Sequence, residues 1–296
     1  MSMRLAGIKL HRPHTLAEAF ELLATLDESR LLAGGTDLLV EIKEGLVHPK
    51  NLISLDAVEE LRGIEKQGDR LRIGSLTTPR ELASHPLVKL HLPALADAAR
   101  SMASPQIRSM ATVGGNIASA VPSADLPPSL MAAEAAVQLV CSDSPREIAL
   151  SDFFKGPRET VCGAGEVLTS VFVPIPSPNT GTAYEKFVPR EANALAVASA
   201  AVRLTLKDQK IAKGIITLGA VAPTPLLACE ASALLSGKRP SEELFSQAAT
   251  KAAEESRPIS DVRASLWFRT EVLHVLVHKA LSRALYRAQN KSEKGL

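Results

Sequence analysis

Aromatic side chains make up only 3% of this 296-residue chain, too few for the base-stacking platforms of single-strand nucleic-acid binders. Cysteine is scarcer still. Cys141, Cys162 and Cys229 stand far apart, in no C-x-x-C arrangement. That excludes a four-cysteine cluster within the chain and supplies no disulfide framework. Such cysteine usage fits a reducing compartment, and the chain is expected in the cytoplasm. No apolar run reaches the roughly 18 residues of a membrane span. The opening MSMRLAGIKLHRPHT lacks the apolar core of a secretion signal. A net charge of +2 gives no electrostatic reason to expect a nucleic-acid or membrane partner.

Familiar catalytic signatures are missing too. There is no G-x-G-x-x-G, no lysine placed for an NTPase phosphate loop and no G-x-S-x-G elbow. His274 and His278 stand at i, i+4, but Val275 occupies the position where a zinc-protease helix carries Glu. No metal is expected there. His11 and His14 have no supporting ligands in the sequence either.

What is present is an ordinary globular composition, 46% hydrophobic and 22% charged, long enough for about two domains. HTLAEAFELLATLDE has one apolar helical face, with Thr15 and Glu18 as a capping box. RLLAG reads as a short buried strand and NLISLD as another, making a small α/β unit. RLRIGSLTT alternates as a strand and ends at Thr78, Pro79 and Glu81, a complete helix start. Helical stretches follow at LPALADAARSMA and LPPSLMAAEA, and strands at AVQLVCS, REIAL and VLTSVFVPIP. IPSPNTGT reads as a linker. Beyond it, ASAAVRLTL and AKGIITLGAV flank a polar turn as a hairpin. A helix stopping at Gly237 and two more, over 241–255 and 264–288, complete the chain.

Two stretches stand out, LLAGGTDLL and ATVGGNIASAVPSAD. In each, an apolar run stops at a Gly-Gly pair followed at once by a small polar residue. Glycine permits φ > 0 and leaves no Cβ to fend off a ligand, and successive N–H groups in such a turn converge on anions. Most Gly-Gly pairs only reverse the chain. Two of them could clasp the two phosphates of one pyrophosphate.

These stretches, with YEKFVPREANALAVASAAVRL, resemble the FAD-binding subunits of the molybdenum hydroxylases, the medium subunits of xanthine, carbon monoxide and nicotinate dehydrogenases. The resemblance runs from about residue 5 to residue 285. It implies FAD contacts from Leu31, Leu32, Ala33, Gly34, Gly35, Thr36, Asp37 and Leu38 in the first loop. From the second it implies Thr112, Val113, Gly114, Gly115 and Asn116. Asp125 matches an acidic residue that helps hold the cofactor, Leu168 an apolar position near the flavin, and Lys186 a lysine that contacts FAD. Read without the resemblance, Asp125 could cap the helix starting at Leu126, Leu168 could be core, and Lys186 a solvated charge.

The fold implied is α+β. A two-part FAD-binding domain of the vanillyl-alcohol-oxidase or PCMH type spans residues 1–176. A C-terminal antiparallel sheet with helices, of the CO dehydrogenase flavoprotein type, spans 177–288, and 289–296 is expected as a frayed tail. No catalytic side chain is expected, since the flavin carries the chemistry. The function implied is electron relay. A large molybdopterin subunit hydroxylates substrate, a small subunit carries two 2Fe–2S clusters, and FAD passes electrons to NAD+ or another acceptor. The three chains would form a heterotrimer, often doubled in this family. The alternative is a stand-alone FAD-dependent oxidoreductase, which would need its own substrate pocket and acid or base.

Overall fold

The computed structural model describes residues 7–142, 144–190 and 195–291. Residues 191–194 of the third stretch and residues 292–296 of the expected tail lie outside them.

The chain opens as a small lobe. Thr15 caps the helix Leu16–Thr25 as expected, its side-chain oxygen accepting from the Glu18 N–H. The returning bond slips by one residue, because the Glu18 carboxylate accepts from the His14 N–H at 2.7 Å. Strands Lys9–His11, Asn51–Ser54 and Ser29–Leu32 lie side by side in that order and all parallel. Parallel neighbours need crossovers, which the helices Leu16–Thr25 and Leu38–Lys43 supply. Asn51–Ser54 lies in the middle and is the buried strand. RLLAG was expected to be buried; its strand, Ser29–Leu32, is the half-buried edge.

The second lobe is an antiparallel sheet of strands Ile64–Gln67, Arg70–Gly74, Val167–Pro174, Ala136–Cys141 and Ser144–Ala149, in that spatial order. Leu71, Ile73, Val137, Leu139, Val171 and Val173 turn one face inward onto Leu82, Leu95, Leu126 and Leu130. These last four belong to the helices Pro79–Ser84, Pro93–Ser101 and Leu126–Ala132. The helix start expected at Thr78 forms, and it closes as a full capping box. Thr78 Oγ1 accepts from the Glu81 N–H at 3.2 Å and Glu81 accepts from the Thr78 N–H at 2.7 Å.

Strands Thr180–Phe187, Ala198–Lys207, Lys210–Gly219 and Leu226–Leu227 follow as an antiparallel sheet in chain order. The hairpin turn has Asp208 and Gln209 both at positive φ, the geometry that suits a two-residue connection. Helices Cys229–Leu235, Glu242–Glu255 and Leu266–Lys291 pack their apolar faces on this sheet. The last helix continues to Lys291, past Ala288, where fraying was expected. The linker expected over 175–182 is shorter, because the strand already begins at Thr180.

Tyr184, Ala201 and Ile215 of the C-terminal sheet belong to the same buried cluster as the second lobe. The helices Pro93–Ser101 and Leu126–Ala132 are thus sandwiched between two sheets. Among the described residues, no helix is long and apolar enough to cross a membrane.

Candidate functional site

Beyond the edge strand of the small lobe, the backbone turns through Ala33, Gly34, Gly35, Thr36 and Asp37 into the helix Leu38–Lys43. The two glycines are there for different reasons. Gly35 has φ +69°, where a Cβ is strained. Gly34 has an ordinary φ, but a Cβ there would strike the Met110 carbonyl and the Ala111 Cα. The loop therefore lies directly on the backbone that leads into the second glycine pair. The N–H groups of Gly34, Gly35, Thr36, Asp37 and Leu38 have no acceptor among the described residues, and the Asp37 side chain does not cap the helix. Successive unpaired amides in one turn make an anion cradle.

The second pair is not a turn. Gly114 and Gly115 sit in the helix Val113–Ala118, and neither has positive φ. Their amides are already used. The Val113 N–H donates to Thr77 O at 2.8 Å and the Gly114 N–H to Ser75 O at 2.8 Å. The Gly115 N–H donates to Thr112 Oγ1 at 3.1 Å. The expectation of two matching turns is corrected to one amide cradle and one helix. A Cβ on Gly114 would come within 2.7 Å of Ser75 Cβ, so the missing side chain lets the helix lie flush on its neighbour. What the helix offers a ligand is the Thr112 hydroxyl and the Asn116 amide. Asn116 Oδ1 accepts from the Leu126 N–H at 3.3 Å, which leaves its Nδ2 without an acceptor among the described residues.

Both structures open onto one cleft of about 990 Å³, at the upper end of the range for small-molecule sites. Of the residues expected there, Leu31, Ala33 to Leu38, Thr112, Gly114, Gly115, Asn116 and Leu168 line it. Leu32 and Val113 do not. Val113 is fully buried in the core of the second lobe.

A third wall, over residues 160 and 162–168, was expected only at Leu168. Its only signal in the sequence is the run Cys162-Gly163-Ala164-Gly165. The Glu166 carboxylate shapes this wall, accepting from Arg146 Nε at 2.6 Å, Arg146 Nη2 at 2.7 Å and the Gly163 N–H at 2.5 Å. The Arg146 bond holds Glu166 below the usual carboxylate range. Burial pushes the Cys162 thiol up, and the nearby Glu166 adds to that, so this cysteine is a poor nucleophile. A bulge between Leu168 and Ser170 re-aims the strand, leaving Leu168 at the cleft. Glu41 and Arg158, paired across the cleft from the two lobes, were missed as well.

Asp125 and Lys186 come together, but not on the cleft wall. Lys186 Nζ stands 2.8 Å from Asp125 Oδ1, and the Tyr184 hydroxyl donates to the same carboxylate at 2.9 Å. Both charged side chains are nearly buried, 4% and 8% exposed. Asp125 stands at the N-cap of Leu126–Ala132 without capping it through its side chain. Burial pushes its carboxyl up, opposed by the Lys186 charge. Lys186 also donates to Ser101 O at 3.3 Å, next to Met102 on the cleft wall. The pair braces two walls from behind. His278, weighed above as a metal ligand, lies 2.9 Å from a carboxylate oxygen of Glu242.

Residues 6–176 match the family described as the FAD binding domain in molybdopterin dehydrogenase, and residues 182–284 match the CO dehydrogenase flavoprotein C-terminal domain. This chain belongs to the FAD-binding medium subunits of the molybdenum hydroxylases. Similar chains include the carbon monoxide dehydrogenase medium chain of Afipia carboxidovorans, 36% identical over 95% of this chain and 97% of that one. The xanthine dehydrogenase FAD-binding subunit of Escherichia coli O157:H7 is 31% identical over 95% and 97%. Among solved structures, the carbon monoxide dehydrogenase of Hydrogenophaga pseudoflava superposes with a TM-score of 0.92 at 35% identity, covering 96% of this chain and 99% of that one. Quinoline 2-oxidoreductase of Pseudomonas putida 86 gives 0.90 at 28% identity, covering 98% and 99%. The cofactor of this FAD subunit fits its cleft: a dinucleotide needs a large cleft and an anion cradle, and both are present.

Proposed function

We propose that this FAD subunit holds its cofactor with the pyrophosphate on the amides of Gly34 to Leu38, and that it relays electrons within a three-subunit hydroxylase. The observation that carries the reading is the run of five N–H groups, acceptor-free among the described residues, on consecutive residues that line a cleft of about 990 Å³. Thr112 and Asn116 add side-chain donors from the opposite lobe, and Leu168 with the 162–168 wall gives an apolar bed. Asp125 and Lys186 act from the second rank, fixing the Asn116 helix and the Met102 wall. FAD, when bound, supplies the exchange between one-electron and two-electron carriers. The side chains bind it, orient it and keep water from the trough.

Three cysteines are too few to ligate one 2Fe–2S cluster, so the clusters come from a small partner subunit and the molybdopterin from a large one. The acceptor is NAD+ or another oxidant, and the assembly works in the cytoplasm. The test is the visible spectrum of the purified chain, with identification of the released cofactor. Flavin bands with FAD at about one per chain support the reading. Added FAD raises the melting temperature of the parent chain and leaves that of Gly35→Ala, strained at φ +69°, unmoved. A colourless parent chain that ignores added FAD overturns it. Turnover without partner subunits would instead favour a stand-alone oxidoreductase.

A further inference from the structure

The small lobe and the second lobe meet firmly on one side of the cleft, where Gly34 lies on the Met110 backbone. They also share a core where Leu76 and Val167 pack among Ile53, Leu55 and Leu61, and they meet once more through a much weaker element. Strands Phe154–Gly156 and Glu159–Thr160 form a hairpin with only two paired positions and a register shift between them. Two-stranded ribbons of this size are marginal by themselves. The hairpin is rooted by Phe153, fully buried, whose carbonyl accepts from the Val161 N–H at 2.9 Å. Its tip carries Arg158 at φ +62°, with the Arg158 N–H held by Ala120 O at 2.9 Å. The guanidinium reaches over the cleft to the Glu41 carboxylate, on the helix that follows the amide cradle. Both residues line the cleft. Among the described residues this is the one ion pair that joins the small lobe to the hairpin.

We propose that the hairpin 154–160 is a strap across the path by which the dinucleotide enters and leaves, and that the Glu41–Arg158 pair is its latch. The inference rests on the FAD site argued above. The latch has the properties of a release: Arg158 is 55% exposed and Glu41 18%, so water and salt reach the pair, and such pairs hold weakly. The strained tip and its bond to Ala120 aim the guanidinium at Glu41 without help from a ligand. Opening the pair leaves the tip held by the single Arg158 N–H bond to Ala120 O, and when that bond also breaks the short hairpin swings on Phe153 while both sheets stay intact.

A latch slows entry and exit alike, whereas a direct contact to the cofactor slows exit alone. The experiment uses the full chain loaded with FAD, and the rise of free-FAD fluorescence on rapid dilution gives the exit rate. Mixing the FAD-free chain with FAD gives the entry rate. In Arg158→Ala both rates rise by about twofold to fivefold, the range for one half-exposed ion pair, and the dissociation constant hardly changes. The swapped pair Glu41→Arg with Arg158→Glu returns both rates toward those of the parent chain. High salt speeds exit from the parent chain and not from Arg158→Ala. Faster exit with unchanged or slower entry would make Arg158 a cofactor contact and overturn the latch, as would two unchanged rates. Amide exchange over residues 154–160 of the FAD-free chain is the second measurement. It quickens in Arg158→Ala if the latch exists, and equal exchange overturns it. A parent chain that binds no FAD refutes the cofactor site instead, and the exchange experiment still decides the strap.

Discussion

A buried ion pair is held together less by its attraction than by the cost of leaving one partner alone. Lys186 and Asp125, 2.8 Å apart and almost without exposure, are such a pair. Lys186→Met strands the Asp125 carboxylate with only the Tyr184 hydroxyl. The expected loss is about 3–5 kcal/mol of stability near neutral pH, read by urea denaturation. The sign of its pH dependence follows from burial, which already raises the Asp125 pKa. A carboxyl with a raised folded pKa favours folding below its unfolded value of about 4 and loses that contribution as pH rises. The variant therefore regains stability on acidification from pH 7 toward pH 4, more steeply than the parent. The double variant with Asp125→Asn is more stable at neutral pH than Lys186→Met alone. Equal stability of the two at neutral pH would mean that Asp125 is not charged in the fold.

At the scale of elements, the amide cradle was legible because two adjacent glycines after an apolar run are visible in the sequence. The role of Gly34 was not, because its reason is the Met110 carbonyl on a distant stretch of chain. Nor was the helical state of Gly114 and Gly115, since glycine is a poor helix former and only the bonds to Thr77 and Ser75 override that. Apart from Leu168, the wall over residues 160 and 162–168 was illegible for the same cause: its clamp joins Glu166 to Arg146 on a separate strand. That clamp has a testable pH response. Glu166 is held below its ordinary value, first by the Arg146 hydrogen bond, so it stabilises the wall above pH about 4 and ceases to as pH falls through its folded value. FAD exit from the parent chain should quicken below that pH. Glu166→Gln should quicken it at pH 7 by about twofold to fivefold, a modest effect because Arg146 is half exposed. A flat acid profile in the parent chain would mean that the clamp does not govern the wall.

At the scale of the molecule, a boundary near residues 176–182 is plain in the sequence, yet the packing runs straight through it. The helices Pro93–Ser101 and Leu126–Ala132 carry the second lobe on one side and the C-terminal sheet on the other. Thr217 Oγ1 donates to Pro128 O at 2.6 Å, the Ala94 N–H donates to Thr182 Oγ1 at 3.1 Å, and Arg287 donates to Asp97 at 2.7 Å. A glycine allows the close approach of the sheet to the helix Leu126–Ala132. A Cβ on Gly219 would meet Pro128 Cγ at 2.8 Å. Burying Tyr184, Ala201 and Ile215 in the core of the other unit makes separation expose apolar surface on both sides, at roughly 25 cal/mol per Å². The two sequence units should therefore unfold together. Trp267, the single tryptophan, is 67% exposed near the start of the last helix, so its emission anisotropy reports on the C-terminal unit, while far-UV circular dichroism reports on both. The two urea transitions are expected to coincide, as a two-state protein requires. A tryptophan transition at lower urea, with part of the dichroism surviving it, would show that the C-terminal unit detaches first. The Lys186 brace would then be a removable contact rather than part of one core.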